Sequence, residues 1–449
     1  MTTGLFSYRD YRHLFAAQVV ALFGTGLTTV ALGLLAYQLA GPHAAAVLGN
    51  ALTIKMICYV AIAPVAAAYA DRLPRRLLLV GLDLTRAAVV LSLPFIDQVW
   101  QVYLLIAVLQ SASAAFTPTF QAVIPDVVTD ESAYTKALSA SQLASTMESL
   151  LSPVLAALAL TVMSFHWLFI GTVVGFLLSA ALVLTTHIPD AVRNSHDNAW
   201  ARTLSGVRIF TATPRLRGVM ALNLTVAGCG SIVMVTTVNY VSDILGRGQS
   251  DIAWLLAASG AGTMAVALIL PPVLERIPER AVMLAGGAVL VAAAASAVEL
   301  SGATGQYRWP AALTIWAGFG IGMSLALTPI GRILRRSSSQ ADRPAVFAAQ
   351  FSLSHLCWLA TYPIAGWGVT LAGFTTTWTV LAGIGTVGLA TAALLWPRRD
   401  PDALPHTHDL AAIDSAHVLD ATVIDGQIVT HTHAFAIDRD HHRWPESVA

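Results

Sequence analysis

The chain has 449 residues, of which 56% are hydrophobic and 11% charged, with 25 Lys and Arg balancing 25 Asp and Glu. A soluble domain carries about a quarter charged residues, so water does not solvate most of this surface, and a zero net charge speaks against nucleic acid as a partner. Cys58, Cys229 and Cys357 all fall inside apolar runs, which excludes a disulfide framework.

In chain order, apolar runs long enough to cross a bilayer predict twelve helices, at 14–39, 46–69, 77–96, 100–120, 137–162, 166–187, 218–242, 252–274, 282–301, 310–330, 345–369 and 374–396. The first run is too long for a signal-peptide core. Cytoplasmic loops collect Lys and Arg. With the N-terminus inside, the inner side holds Arg9, Arg12, Arg72, Arg75, Arg76, Lys136, Arg276, Arg280, Arg332, Arg335 and Arg336, while the outer loops hold only Arg247 and Arg308. Both termini are therefore expected to be cytoplasmic, in a multi-pass protein of the inner membrane.

The first charged corner, Asp71-Arg72-Leu73-Pro74-Arg75-Arg76, returns as Glu275-Arg276-Ile277-Pro278-Glu279-Arg280, at an offset of 275 − 71 = 204 residues. Acid, Arg, branched aliphatic, Pro, one residue and Arg recur in that order. A matched pair of corners between apolar runs predicts two halves of like architecture. The polar, basic stretch 188–217 separates a bundle at 1–187 from one at 218–396. Within it, Trp200 to Arg217 reads either as an amphipathic surface helix or as a plain linker.

Residues 397–449 are polar and acidic, and they hold seven of the thirteen histidines. There, 421–424 and 427–430 flank Asp425-Gly426 and read as a hairpin. A lone hairpin is marginal in water, so disorder is the default expectation unless the membrane domain or a metal holds it. His406-Thr407-His408 and His431-Thr432-His433 are His-x-His pairs, with His441 and His442 beyond them. Imidazole suits nickel, zinc and copper, so these six are the candidate metal ligands.

Charges inside a bilayer are expensive and point to function. Glu148 falls near the middle of the fifth predicted helix and Lys55 toward the outer half of the second, as either a proton-coupling pair or a static one. A carboxylate there can be neutralised by taking up a proton. Asp83 and Arg86, at i and i+3, lie on one side of the third helix and can pair with each other or with the corner loop. No Walker loop, nucleophile elbow or His-Glu-x-x-His motif is present. An enzyme is not expected, no cofactor is implied, and transport would run on an ion gradient.

The corner Asp71 to Arg76, with Asp83 and Arg86, resembles the signature loop of the major facilitator superfamily, Gly-x-x-x-Asp-Arg-x-Gly-Arg-Arg. Ala67 and Pro74 depart from its two glycines. The resemblance implies an all-α membrane fold of twelve helices in two pseudo-symmetric six-helix bundles. It gives Asp71, Arg72, Arg75, Arg76, Asp83 and Arg86 a gating role, with a fixed clamp inside the first half as the alternative. It further implies a cavity lined by the first, fourth, seventh and tenth helices, here Gln18, Thr25, Gln110, Ser111, Asn223, Ser231, Met323 and Ser324. His355, on the eleventh, is added as a soft-ligand candidate. Thr117-Pro118 and Ile124-Pro125 look like the siderophore and multidrug efflux branch, and the histidine-rich tail like the nickel-resistance branch. The reading is thus a proton-coupled exporter, a monomer among lipids, of a divalent metal such as nickel. The alternatives are an organic solute (a drug or a siderophore) and a non-transporting metal sensor.

Overall fold

The computed structural model describes residues 5–69, 74–128, 137, 140–141, 144, 147–148, 151–152, 154–156, 158–188, 199–339, 342–401, 403–409, 422–425, 428–435, 437, 441 and 444–445. Long apolar helices dominate, because in lipid every backbone N–H and C=O must find its partner within the chain. α1 (Arg9–Ala40) and α2 (Ala44–Tyr69) meet at a tight turn where Gly41 takes φ 51°, a conformation that glycine adopts without strain. α3 (Arg75–Ser92) leads to α4 (Val99–Val127). The first turn of α4 is closed by reciprocal capping between Gln98 and Gln101. The described residues between 137 and 160 are helical, and α5 (His166–Leu184) ends the first half.

α6 (Ala199–Ala212) takes the helical option for the central stretch, and its Gly206 lies so close to Ala345 that a Cβ would fall 2.1 Å from the Ala345 carbonyl oxygen. α7 starts at Pro214–Ser231 and continues through wide π-helical turns to Ile244. α8 (Gln249–Leu274), α9 (Glu279–Gly302), α10 (Arg308–Leu327) and the short α11 (Ile330–Arg336) follow. α12 (Arg343–Leu395) breaks at Gly373, where φ is 79°. A Cβ on Gly368 would sit 2.8 Å from Thr377, so the two arms of α12 fold back on each other.

Among the described residues, nine apolar segments are long enough to cross a membrane. One of them carries both α1 and most of α2, and another carries both arms of α12, so eleven of the twelve expected helices are present as such. The fifth is represented by its described helical residues. The 204-residue repeat has a structural counterpart. Arg76 donates to the carbonyl of Leu184 at the end of α5. Arg280, 204 positions later, donates to the carbonyls of Trp396 (3.0 Å) and Ala393 (3.1 Å) at the end of α12. Each half thus uses the same arginine to close the end of its last helix.

The halves cross closely where α2 meets the first arm of α12. A Cβ at Gly49 would lie 2.9 Å from the Tyr362 carbonyl oxygen and 3.1 Å from the Cα of Gly366, so this approach requires glycine. In the tail, β1 (Ala403–Asp409), β2 (Thr422–Asp425) and β3 (Ile428–Ala434) form an antiparallel sheet in the order β1-β3-β2. The expected hairpin is β2–β3, and β1 adds a third strand to it. The tail docks on the membrane domain. The Asp400 carboxylate meets Arg336 (2.5 Å), Arg215 (3.3 Å) and the Trp396 indole N–H (3.1 Å). The Arg215 guanidinium also lies 5.0 Å from the Trp444 ring centroid. Leu404, Phe435 and Ile437 are buried in one apolar cluster with Leu216 and Trp396.

Candidate functional site

At mid-depth, α2 carries Lys55 and, one turn on, Tyr59, whose ring faces the second half. The Tyr59 ring stacks on His355 of α12 with centroids 5.3 Å apart and planes 9° from parallel. Phe351 completes the group, 4.0 Å from His355. The Lys55 ammonium lies 6.0 Å from the Tyr59 centroid. The His355 Nδ1 sits 2.6 Å from the Phe351 carbonyl, which only accepts, so Nδ1–H is the donor. The His355 imidazole is thereby held in the seam between the halves. Glu148 lies within electrostatic reach of Lys55 and packs against α1 at Gly26, where a Cβ would come within 2.7 Å of its Oε1. Lys55, Glu148, Tyr59 and His355 therefore form one polar cluster bridging both halves.

Of the corner residues, Asp71 and Arg72 lie outside the described residues. Arg75 is buried and Arg76 closes α5 as above. Asp83 and Arg86 pair with each other inside the first half. The Asp83 Oδ2 also accepts from Ser179 at 2.8 Å. The Arg86 guanidinium is sandwiched between Phe116 (4.1 Å) and Phe176 (4.5 Å). The described partners of Asp83 and Arg86 thus all belong to the first half.

The cavity candidates mostly spend their polar atoms within the protein. Gln18 accepts from Ser141 (2.5 Å), Thr25 donates to Ala21 (3.0 Å) and Ser111 donates to Ala107 (2.6 Å). Asn223 donates to Gln350 (3.3 Å), and Ser231 donates to Ala227 (2.7 Å) and Thr361 (2.8 Å). Ser324 is 3.5 Å from Thr328, and Met323 packs against the core. Gln110, 6% exposed, differs: its Oε1 has no partner among the described residues. It lines a cavity of about 10 Å³ with Thr25, Thr28, Thr29, Lys55 and Ser113.

In the tail, the backbone register sets His406 directly opposite His431, with Leu404 opposite His433 and His408 opposite Val429. His441 is buried edge-on against Phe435, at 4.7 Å, and His442 lies outside the described residues. Among the described residues, no group of three or more His, Cys, Asp or Glu side chains gathers as a metal site.

A second polar cluster was not foreseen from the sequence. At the end of the bundle far from the termini, Tyr37 donates to Asp243 (2.6 Å). Asn239 donates to Asp243 (2.8 Å) and to the carbonyls of Gly41 (3.3 Å) and Pro42 (3.1 Å). Beside the glycine crossing, Trp367 donates to Asn50 (2.9 Å). These bonds tie α1 and α2 to α7 and α12 at that end. The i, i+4 spacing of Asn239 and Asp243, one turn from a helix end, was the available signal.

A model of the Major Facilitator Superfamily matches residues 14–239 and 219–412. An uncharacterized MFS-type transporter, YfiS of Bacillus subtilis (strain 168), is 25% identical over 268 residues, covering 57% of this chain and 62% of that protein. Among solved structures, the nucleoside transporter NupG superposes with a TM-score of 0.63 at 14% identity, over 86% of this chain and 99% of that one. A D-xylose-proton symporter gives a TM-score of 0.65 at 14% identity, over 87% and 97%. A bacterial homolog of the lysosomal transporter Spinster, in an inward-facing and unoccupied conformation, gives 0.61 at 14%, over 86% and 95%. Nine membrane-long apolar segments among the described residues, a repeated arginine corner and a family match over nearly the whole length make one statement: the chain belongs to the Major Facilitator Superfamily.

Proposed function

We propose that this transporter is a proton-coupled exporter of a small organic solute, working by alternating access in the cytoplasmic membrane with both termini inside. The observation that carries the coupling is the mid-depth cluster of Glu148, Lys55, Tyr59 and His355. Ionisable groups are kept at that depth at a cost, and here they straddle the surfaces that must part when the halves rock. Glu148 takes up and releases the proton, with Lys55 as its partner. The hydrogen bonds at the far end form the outer gate, and the arginine corners with α6 lie at the inner end. The neighbouring proteins named for nucleosides and D-xylose agree with an organic cargo. Lys55 beside neutral cavity walls is a poor host for a bare dication.

A second reading gives the metal to the tail. The backbone register that sets His406 opposite His431, with His408 and His433 two residues away along their strands, supports binding of nickel or a similar ion there. At about 3.3 Å rise per residue, His408 and His433 stand at opposite ends of the ladder, so one ion would take the central pair and one outer histidine. Inverted membrane vesicles given candidate solutes or nickel from outside, with and without a pH gradient, test both readings. Gradient-dependent uptake of an organic solute is expected. Gradient-dependent uptake of nickel alone would move the metal from tail ligand to cargo, and silence toward every solute would remove the transport reading in favour of a sensor.

A further inference from the structure

The hydrogen-bond inventory of the mid-depth cavity reads the solute's chemistry, an inference that rests on the transport reading above. The hydroxyls around the cavity have committed their protons elsewhere. Thr25 donates to Ala21 (3.0 Å), Thr28 to Thr172 (2.9 Å), Thr29 to Thr25 (3.1 Å) and Ser113 to Leu109 (2.9 Å). What they turn to the cavity is therefore lone pairs. Gln110 adds a carboxamide oxygen that is buried and unpartnered among the described residues. An orphaned buried acceptor costs free energy that a donor restores. Lys55 brings an ammonium donor to the lining, and Glu148 lies within its electrostatic reach as a counter-charge.

We infer that Gln110 is the specificity-determining acceptor of the solute site, and that the solute is an uncharged molecule rich in hydroxyl or amide donors. The cavity lies among α1, α2, α4 and α5 of the first half and measures about 10 Å³, the size of one water, so a solute enters only when it widens. Opening leaves the inventory unchanged, because each hydroxyl donates within its own bundle. A site built to accept hydrogen bonds rejects a ligand that lacks donors, since its own polar atoms would then stay unpaired.

The test uses the purified full-length chain in detergent and in proteoliposomes. The probes are xylitol, myo-inositol and thymidine, the O-permethylated ether of each, tetraphenylphosphonium and nickel chloride. Binding is read by thermal-stability titration and flux by counterflow. At least one donor-bearing probe is expected to bind while its permethylated ether does not. Gln110→Met should weaken that probe about tenfold, and Gln110→Glu, which keeps an acceptor oxygen in place, should largely retain it. The melting midpoint without ligand shows whether Gln110→Met folds. Binding of tetraphenylphosphonium or nickel alone, equal affinity in wild type and a folded Gln110→Met, or silence from all three donor-bearing probes would each overturn the inference. Failure of the transport reading looks different: ligands bind but no probe exchanges across the vesicle.

Discussion

Replacing Asp243 by Ala tests the gate at the far end, because that carboxylate joins α1 to α7 across the halves. It accepts from Tyr37 of α1 at 2.6 Å, and it orients Asn239 (2.8 Å) toward the carbonyls of Gly41 and Pro42. Hydrogen bonds to a charged acceptor contribute about 1.5–3 kcal/mol when buried. The pair is partly solvated, so about 1–2 kcal/mol is the better figure, which moves the closed-to-open ratio at this end roughly 5- to 30-fold. Spin labels at His43→Cys, on the exposed turn, and at Gly248→Cys, where a Cβ meets nothing within 4 Å, read the opening by pulsed EPR. The background has Cys58, Cys229 and Cys357 replaced. Asp243→Ala should add a longer-distance population, and Tyr37→Phe should reproduce part of it. Identical distance distributions in all three proteins would refute the gate.

Three further outcomes follow from the same geometry. Arg86→Met leaves Asp83 buried without its cation and should cost about 3–5 kcal/mol, read as lost thermal stability, with Asp83→Leu in the same chain recovering most of it. An unchanged melting midpoint in the single variant would show that the clamp carries no stability. Gly26→Ala drives a methyl group into Ser152 (2.1 Å) and Glu148 (2.7 Å). It should resemble Glu148→Gln, with solute exchange intact and gradient-driven accumulation reduced at least tenfold; normal accumulation in both variants would retire Glu148 as the proton site. Asp400→Asn combined with Trp444→Ala should free the tail from Arg215 and speed proteinase K cleavage beyond residue 396. Equal protection would mean that the sheet is held by other contacts.

The membrane fold was legible because lipid enforces one rule over long windows: apolar runs of spanning length must be helices. The breaks at Gly41 and Gly373 fall at expected span boundaries, since only glycine accommodates the φ angles found there. The arginine corners were legible as a repeat, and the structure gives them a shared task at Leu184 and Trp396. The tail was less legible. Pro405 and three polar neighbours hide β1, and the sheet docks through contacts between residues far apart in sequence, such as Trp444 with Arg215. In the site, composition marked Lys55 and Glu148 as intramembrane charges but could not show that Tyr59 and His355 join them across the seam. Gln110 looked like its polar neighbours until the partners of each were counted. The gate was missed because Tyr37 and Asp243 lie 206 positions apart, beyond any periodic pattern.

The most direct test of the account is whether the two ends of the molecule open in opposition. A second label pair at the end near the termini, Pro74→Cys and Arg276→Cys, is measured in the same nanodisc samples as the His43/Gly248 pair, over a pH series and with Glu148→Gln. The account predicts that one distance lengthens as the other shortens, with pH driving the exchange and Glu148→Gln holding it at one extreme. Distances that lengthen together, or a pH response that is identical without the Glu148 carboxylate, would contradict it.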